Sequence, residues 1–286
     1  MTPNHHRSPQ QVGTQFYLGT HHPGWLSSAP VPLFISDRRL RSYKRLPRAI
    51  VPWALDSGGF TELSQYGSWD HGPTPADYIA RIHRYWHEVG HLAWAAPQDW
   101  MCEPWITANT GLTITEHHHR TVDNYQRLRD LAAQADLPAD IITPVLQGWE
   151  PDDYLRCADL YAAAGVDLTT APLVGLGTVC RRQGTTTAGH IITGLHTAGI
   201  TRLHGFGFKV HGLARYANHL VSADSLAWSY TARRRPPLPG CTTHINCANC
   251  PRFAYQWHTN HIRPILNRQP TRTQPPLFAY PTGTAA

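Results

Sequence analysis

Short apolar runs recur along the chain, with longer amphipathic stretches between the later ones. The runs Gln15–Thr20, Val31–Ser36, Ala49–Leu55, His91–Gln98, Ile141–Leu146, Ala171–Leu176, Arg202–Phe206 and Leu220–Ala223 read as strands, the first two and the last least clearly. The stretches Thr74–Val89, Thr115–Gln134, Pro151–Ala164, Thr186–Ala198 and Val210–His219 read as helices. Thr74-Pro75 is a cap followed by a first-turn proline, and Gly165 supplies a stop. Eight strands with helical crossovers predict an α/β fold, a closed (β/α)8 TIM barrel, over residues 1–235. An open α/β sheet is the alternative.

The texture changes after Arg235. Pro236-Pro237-Leu238-Pro239-Gly240 breaks regular structure, and a Cys/His cluster follows, marking residues 236–262 as a small C-terminal zinc-binding lobe packed on the barrel. From Arg263 to Ala286 the chain is rich in Pro and Thr and is expected to be an extended tail. The length of 286 residues suits one large core. No apolar run reaches transmembrane length, and the N-terminus lacks a signal-peptide core, so no membrane partner is expected and the chain reads as cytoplasmic.

The formal net charge of +6, carried mostly by Arg, allows a polyanionic partner. Of the six cysteines, Cys102, Cys157 and Cys180 are scattered, whereas Cys241, Cys247 and Cys250 are close together. This is a metal pattern rather than a disulfide scaffold. Cys241, His244, Cys247 and Cys250 fit a closed structural Zn2+ site, with His258 or His261 as alternatives to His244. His117-His118-His119 points to different faces of a helix start and reads as solvated rather than metal-binding.

Function in such a fold sits at the C-terminal ends of the strands. There the sequence carries Asp56-Ser57-Gly58-Gly59-Phe60, Asp99, Gln147-Gly148, Gly175-Leu176-Gly177, Gly205-Phe206-Gly207 and Asp224. Each polar group alone could cap a turn. Four at matched strand ends are harder to assign to independent caps. Asp56-Ser57-Gly58-Gly59-Phe60 resembles the DSGGF motif of the tRNA-guanine transglycosylase family, and the later segments resemble that family's motifs in order, through Asp224, Thr231-Ala232-Arg233-Arg234 and the Cys cluster. The resemblance covers roughly residues 50–250.

The resemblance implies base exchange at a glycosidic bond. Asp224 would be the nucleophile on the sugar and Asp56 the general acid/base. Asp99 and Gln147 would read the base edge, and Ser57, Gly58, Phe60, Gly148, Gly175, Leu176, Gly205 and Phe206 would build the rest of the pocket. Arg233 and Arg234 would hold nucleic-acid phosphates. A carboxylate can trap an oxocarbenium-like sugar covalently, as retaining glycosidases do.

Some details depart from the tRNA enzymes. Thr61 stands where Gln is usual, the Cys spacing differs, and these 286 residues are expected to leave no room for an added RNA-binding domain after the zinc lobe. These departures resemble the DpdA-like branch that inserts 7-deazaguanines into DNA. The expected partners are therefore DNA, with tRNA as the alternative, and a free 7-deazaguanine base such as preQ0. A helper protein or a homodimer remains open, as do a non-catalytic zinc-stabilised nucleic-acid-binding protein and a hydrolase of free nucleosides.

Overall fold

The computed structural model describes residues 11–268 and 272–273. Eight parallel strands form one curled sheet: β1 (Gln15–Thr20), β2 (Leu33–Ser36), β3 (Trp53–Asp56), β4 (Leu92–Ala95), β5 (Val145–Leu146), β6 (Val174–Leu176), β7 (Leu203–Gly205) and β8 (Ser222–Ser225). The spatial order is β4-β3-β2-β1-β8-β7-β6-β5. The first and last strands of this sheet in sequence, β1 and β8, therefore pair at the centre, with Tyr17 opposite Asp224.

The outer strands β4 and β5 form no continuous ladder. A single parallel bridge, Ala95 to Ile142, joins the two edges, with Ala95 N–H donating to Ile141 O at 2.7 Å and Thr143 N–H to Ala95 O at 3.1 Å. The expected strand Ile141–Leu146 is thus cut to two residues. Pro144 interrupts it, because proline has no N–H to donate to the ladder. Pro97 limits β4 in the same way.

Alternation along the strands sorts the side chains onto two faces. Phe16, Leu18, Leu33, Ile35, Trp53, Leu55 and Leu203 join the large core between sheet and helices. Tyr17, Ala54, Trp94, Phe34 and Phe206 form a separate cluster on the inner face of the curl. His204 is wholly buried among them, 4.6 Å from the Trp94 ring and 4.7 Å from Phe206.

The five expected helices are present as Pro75–Glu88, Ile114–Gln134, Pro151–Ala163, Thr186–Thr197 and Val210–Tyr216, the last continued by a 3-10 turn to His219. Thr74 with Asp77, and Thr113 with Glu116, form reciprocal capping boxes. Shorter helices, Gly59–Tyr66, Pro104–Thr110 and Ala227–Arg233, begin inside the loops after β3, β4 and β8.

The C-terminal lobe continues as Pro251–Trp257, a π-helical turn His258–Ile262 and a helix Arg263–Asn267. The extended tail expected from Arg263 therefore starts as helix; residues 269–271 and 274–286 lie outside the described residues. Trp228 fastens this side of the molecule. It is 1% exposed, stacks on Trp25 at 5.5 Å and donates its indole N–H to Gly19 O at 2.8 Å. Among the described residues no helix is long and apolar enough to cross a membrane.

Candidate active site

A cavity of about 410 Å³ opens at the C-terminal ends of the strands. Its wall includes Asp56, Phe60, Asp99, Gln147, Phe206 and Asp224. Six residues singled out from the sequence are thus brought together. Ser57, Gly58, Gly148, Gly175, Leu176 and Gly205 do not line the cavity. Gly59, Gly177 and Gly207 do. Gly175 and Gly205 instead pack inside the fold, against Phe206 and Phe208 respectively. Position explains the offset: Gly175 and Gly205 lie within their strands, whereas Gly177 and Gly207 follow the strand ends, where the chain turns over the opening.

Asp56 ends β3 and is followed by a left-handed Gly58, φ 85°, that turns the chain into the helix Gly59–Tyr66. A Cβ on Gly58 would also meet the Arg38 side chain. Burial pushes the Asp56 carboxyl above the ordinary carboxylate range, and the nearby Asp224 charge adds to that, while a hydrogen bond from the Gly58 backbone opposes it.

Asp224 sits on β8, 7% exposed. Its Oδ1 accepts from Gly207 N–H at 2.9 Å and lies 3.3 Å from His204 Nε2. His204 Nδ1 is 2.8 Å from Ser222 Oγ. Burial lowers the His204 pKa, against the opposing pull of Asp224, and so favours the neutral ring. A neutral ring has one donor, and the arrangement is satisfied when Ser222 O–H donates to Nδ1 and Nε2–H donates to Asp224. The sequence reading missed His204. Its signal was parity: His204 and Ser222 occupy inward positions of neighbouring strands, opposite each other in register.

On the opposite wall, Gln147 Nε2 donates to Asp99 Oδ2, and Thr178 O–H donates to Gln147 Oε1. Thr178 Oγ1 is also 3.3 Å from Glu103 Oε2 and accepts from Cys102 N–H at 3.0 Å. Thr178 holds a left-handed backbone, φ 54°, which is strained for a β-branched residue by about 1–3 kcal/mol. A Cβ on Gly177 would run into the Gln147 amide, so glycine there lets the amide lie against the backbone. Glu103, another residue the sequence reading passed over, is buried in the wall; burial raises its pKa, while Thr178, Arg181 and Arg182 oppose the shift.

The loop bearing Asp99 is braced by the helix Ile114–Gln134. Asn124 Nδ2 donates to Gln98 O at 2.9 Å, Trp100 N–H donates to Thr121 Oγ1 at 2.9 Å, and His117 Nδ1–H donates to Met101 O at 2.6 Å. His117 and His118 are buried, which corrects their reading as a solvated helix start. His117 braces this loop.

Arg233 and Arg234 are exposed at the end of the helix that follows Asp224, Arg233 as its last residue and Arg234 as its C-cap. Arg233 lies near enough to His21, on the cavity wall, to help lower its pKa, after burial, Arg39 and His22. Arg234 stacks on Tyr230, its guanidinium carbon 3.3 Å from the ring centroid.

In the C-terminal lobe, the ligand atoms of Cys241, His244, Cys247 and Cys250 all lie within 4.8 Å of one another. Cys241 Sγ and Cys250 Sγ are 3.9 Å apart, and His244 Nε2 is 3.3 Å from Cys247 Sγ. Two thiolates on one tetrahedral zinc stand about 3.8 Å apart, so the donor set and its spacing fit such an ion. His258 packs against Phe16 and His261 against Trp257. Ser229 Oγ–H, on the helix after Asp224, donates to Ala248 O at 2.7 Å and ties the cluster to the site.

Burial raises the Asp99 pKa to about 7, against a partial reduction by the Gln147 hydrogen bond. A carboxyl raised above its unfolded value contributes stability below about pH 4 and loses that contribution as pH rises through the folded value. Wild-type stability, measured by urea unfolding against Asp99→Asn, is therefore expected to fall relative to the variant between pH 4 and pH 8. A stability difference independent of pH would contradict the burial account of Asp99.

No curated protein matches the chain. One family model does match, over residues 12–273, and its description is DpdA, DeoxyPurine in DNA protein A. With nearly its whole length so matched, the chain belongs to this family of 7-deazaguanine DNA-modification transglycosylases.

Proposed function

We propose that the protein exchanges guanine in DNA for a 7-deazaguanine such as preQ0 through a covalent aspartyl-glycosyl intermediate, on a barrel closed through the Ala95–Ile142 bridge. The observation that carries this reading is the meeting of Asp224, Asp56, Asp99 and Gln147 on one cavity of about 410 Å³, a size suited to a small ligand. Family membership supports DNA as the polymer. A target guanosine in a duplex must leave the stack to enter such a cavity, at a cost of a few kcal/mol.

Asp224 is the nucleophile in this reading. Gly207 N–H and neutral His204 both engage Oδ1, which leaves Oδ2 to attack C1′. A neutral imidazole orients the carboxylate without cancelling its charge. As the C1′–N9 bond breaks, its electron pair leaves with guanine, and Asp56 donates the proton that the departing base takes up. Burial favours the protonated form of Asp56 needed for that step. In the return step the incoming deazaguanine gives its N9 proton to Asp56, attacks C1′ and displaces the Asp224 carboxylate. Asp99 and Gln147 read the Watson–Crick edge, Phe60 and Phe206 offer apolar faces, and the Ser57, Gly58, Gly148, Gly175, Leu176 and Gly205 segments shape the pocket from behind. Arg233 and Arg234 engage phosphates beside the target.

Zn2+ is the ion we assign to Cys241, His244, Cys247 and Cys250. Four protein ligands leave no open position, so its role is structural. Through Ser229 the lobe steadies the helix after Asp224.

Two outcomes test this reading. Asp224→Asn is expected to abolish the denaturant-stable protein–DNA adduct and to cut exchange by roughly a thousandfold or more with the fold intact; an adduct formed at wild-type level would remove Asp224 from the nucleophile role. Cys247→Ala is expected to lose the single bound zinc by elemental analysis and to lower the melting temperature. Retention of full zinc content would contradict the ligand assignment.

A further inference from the structure

Beside the cavity, four loops meet in a rim of which the base pocket uses Phe60 alone. They follow β3, β4, β5 and β6 and carry Phe60, Trp105, Trp149, and Arg181 with Arg182. Phe60 and Trp105 are large apolar side chains left 43% and 39% exposed. The Arg181 guanidinium carbon lies 4.5 Å from the Trp105 ring centroid and 5.9 Å from that of Phe60. Arg182 lies 4.2 Å from the Trp149 ring, and the two indoles meet edge to face at 6.3 Å.

Among the described residues no salt bridge ties up either guanidinium. A guanidinium lying over a ring keeps its N–H edges available for an anion while its face is covered. Arg182 is oriented further by long contacts to Thr178 O and to Tyr154 Oη, both at 3.4 Å. Half-exposed aromatic faces interleaved with unpaired arginines are the two components of a single-strand binding platform: bases stack on the rings and phosphates meet the cations. Because Phe60 also lines the cavity, the platform is continuous with the pocket mouth.

We propose that this Phe60–Trp105–Trp149–Arg181–Arg182 rim binds the unpaired deoxynucleotides next to the target guanosine. The proposal rests on the DNA-exchange reading and extends it to the state of the substrate. Aromatic side chains reach a base face only where stacking is broken. A flipped guanosine leaves its neighbours with such a face. The rim thus selects a strand that is single or locally opened.

The test is fluorescence anisotropy with an end-labelled single-stranded deoxyoligonucleotide containing one guanine, at two salt concentrations. Wild type is compared with Trp105→Ala, Arg181→Ala and the surface control Arg45→Ala, with melting curves and free-guanine binding measured on each. Trp105→Ala is expected to weaken strand binding about tenfold. Arg181→Ala is expected to weaken it and to make the salt dependence shallower by about one phosphate's worth. Free-guanine binding stays at the wild-type level in both, and Arg45→Ala binds the strand as wild type does. Strand binding by Trp105→Ala and Arg181→Ala within about twofold of wild type, in a protein that still exchanges guanine into DNA, overturns the rim and leaves the exchange reading standing. An equal loss in Arg45→Ala also overturns it, as general charge attraction. A wild type that binds the matching oligoribonucleotide and not the deoxy strand overturns the DNA reading and the rim together.

Discussion

Strict alternation in a curled parallel sheet is the constraint on which the site depends. One face of each strand must feed the core beneath the helices, so the other face must fill the inside of the curl. Tyr17, Phe34, Trp94, His204 and Phe206 fill it. The last inward positions have no further layer above them and open on the cavity. Asp56 and Asp224 occupy such positions, and Ser36 pairs with Asp56 in register. The aromatic layer below gives these carboxyls a dry floor, which is why burial raises the pKa of Asp56. Asp99 and Glu103 come from the loop after β4 and are raised by the same cause.

Asp224 is held from two directions. From below, Ser222 and His204 pass one chain of hydrogen bonds to Oδ1. From outside, the helix Ala227–Arg233 is pinned by Trp228 to the end of β1 and by Ser229 to the Cys/His lobe. The lobe therefore adds stability near the strand pair β1–β8, where the chain's first and last strands of the sheet meet. In the proposed reaction this rigidity sets the attack geometry, because a carboxylate displaced by about 1 Å loses much of its advantage.

Much of this was legible in the sequence, and the misses share physical causes. Apolar runs located all eight strands, and Gln15–Thr20 was bounded as observed. Ile141–Leu146 was read too long because Pro144 looks apolar while lacking a ladder donor. Short helices such as Gly59–Tyr66 and Pro104–Thr110 were missed, since seven or eight residues show too little periodicity. Asp56, Asp99, Gln147 and Asp224 were singled out because motif order marks strand ends, whereas Glu103 lies outside the motifs. Gly177 and Gly207 were not singled out as pocket-lining in place of Gly175 and Gly205, because a motif does not say which backbone faces the opening. His204 was hidden inside an apolar run, and only the pairing of β7 with β8 sets it beneath Asp224. For the fourth position of the Cys/His cluster, read as His244 with His258 or His261 as alternatives, the His244 ring lies against Cys247 while His258 and His261 pack on aromatic rings.

The most direct measurement is incorporation of radiolabelled guanine or preQ0 by the purified protein into single-stranded and duplex DNA, with bulk tRNA in parallel. The account predicts label in DNA and none in tRNA. Label in tRNA alone, or in neither polymer, would contradict it.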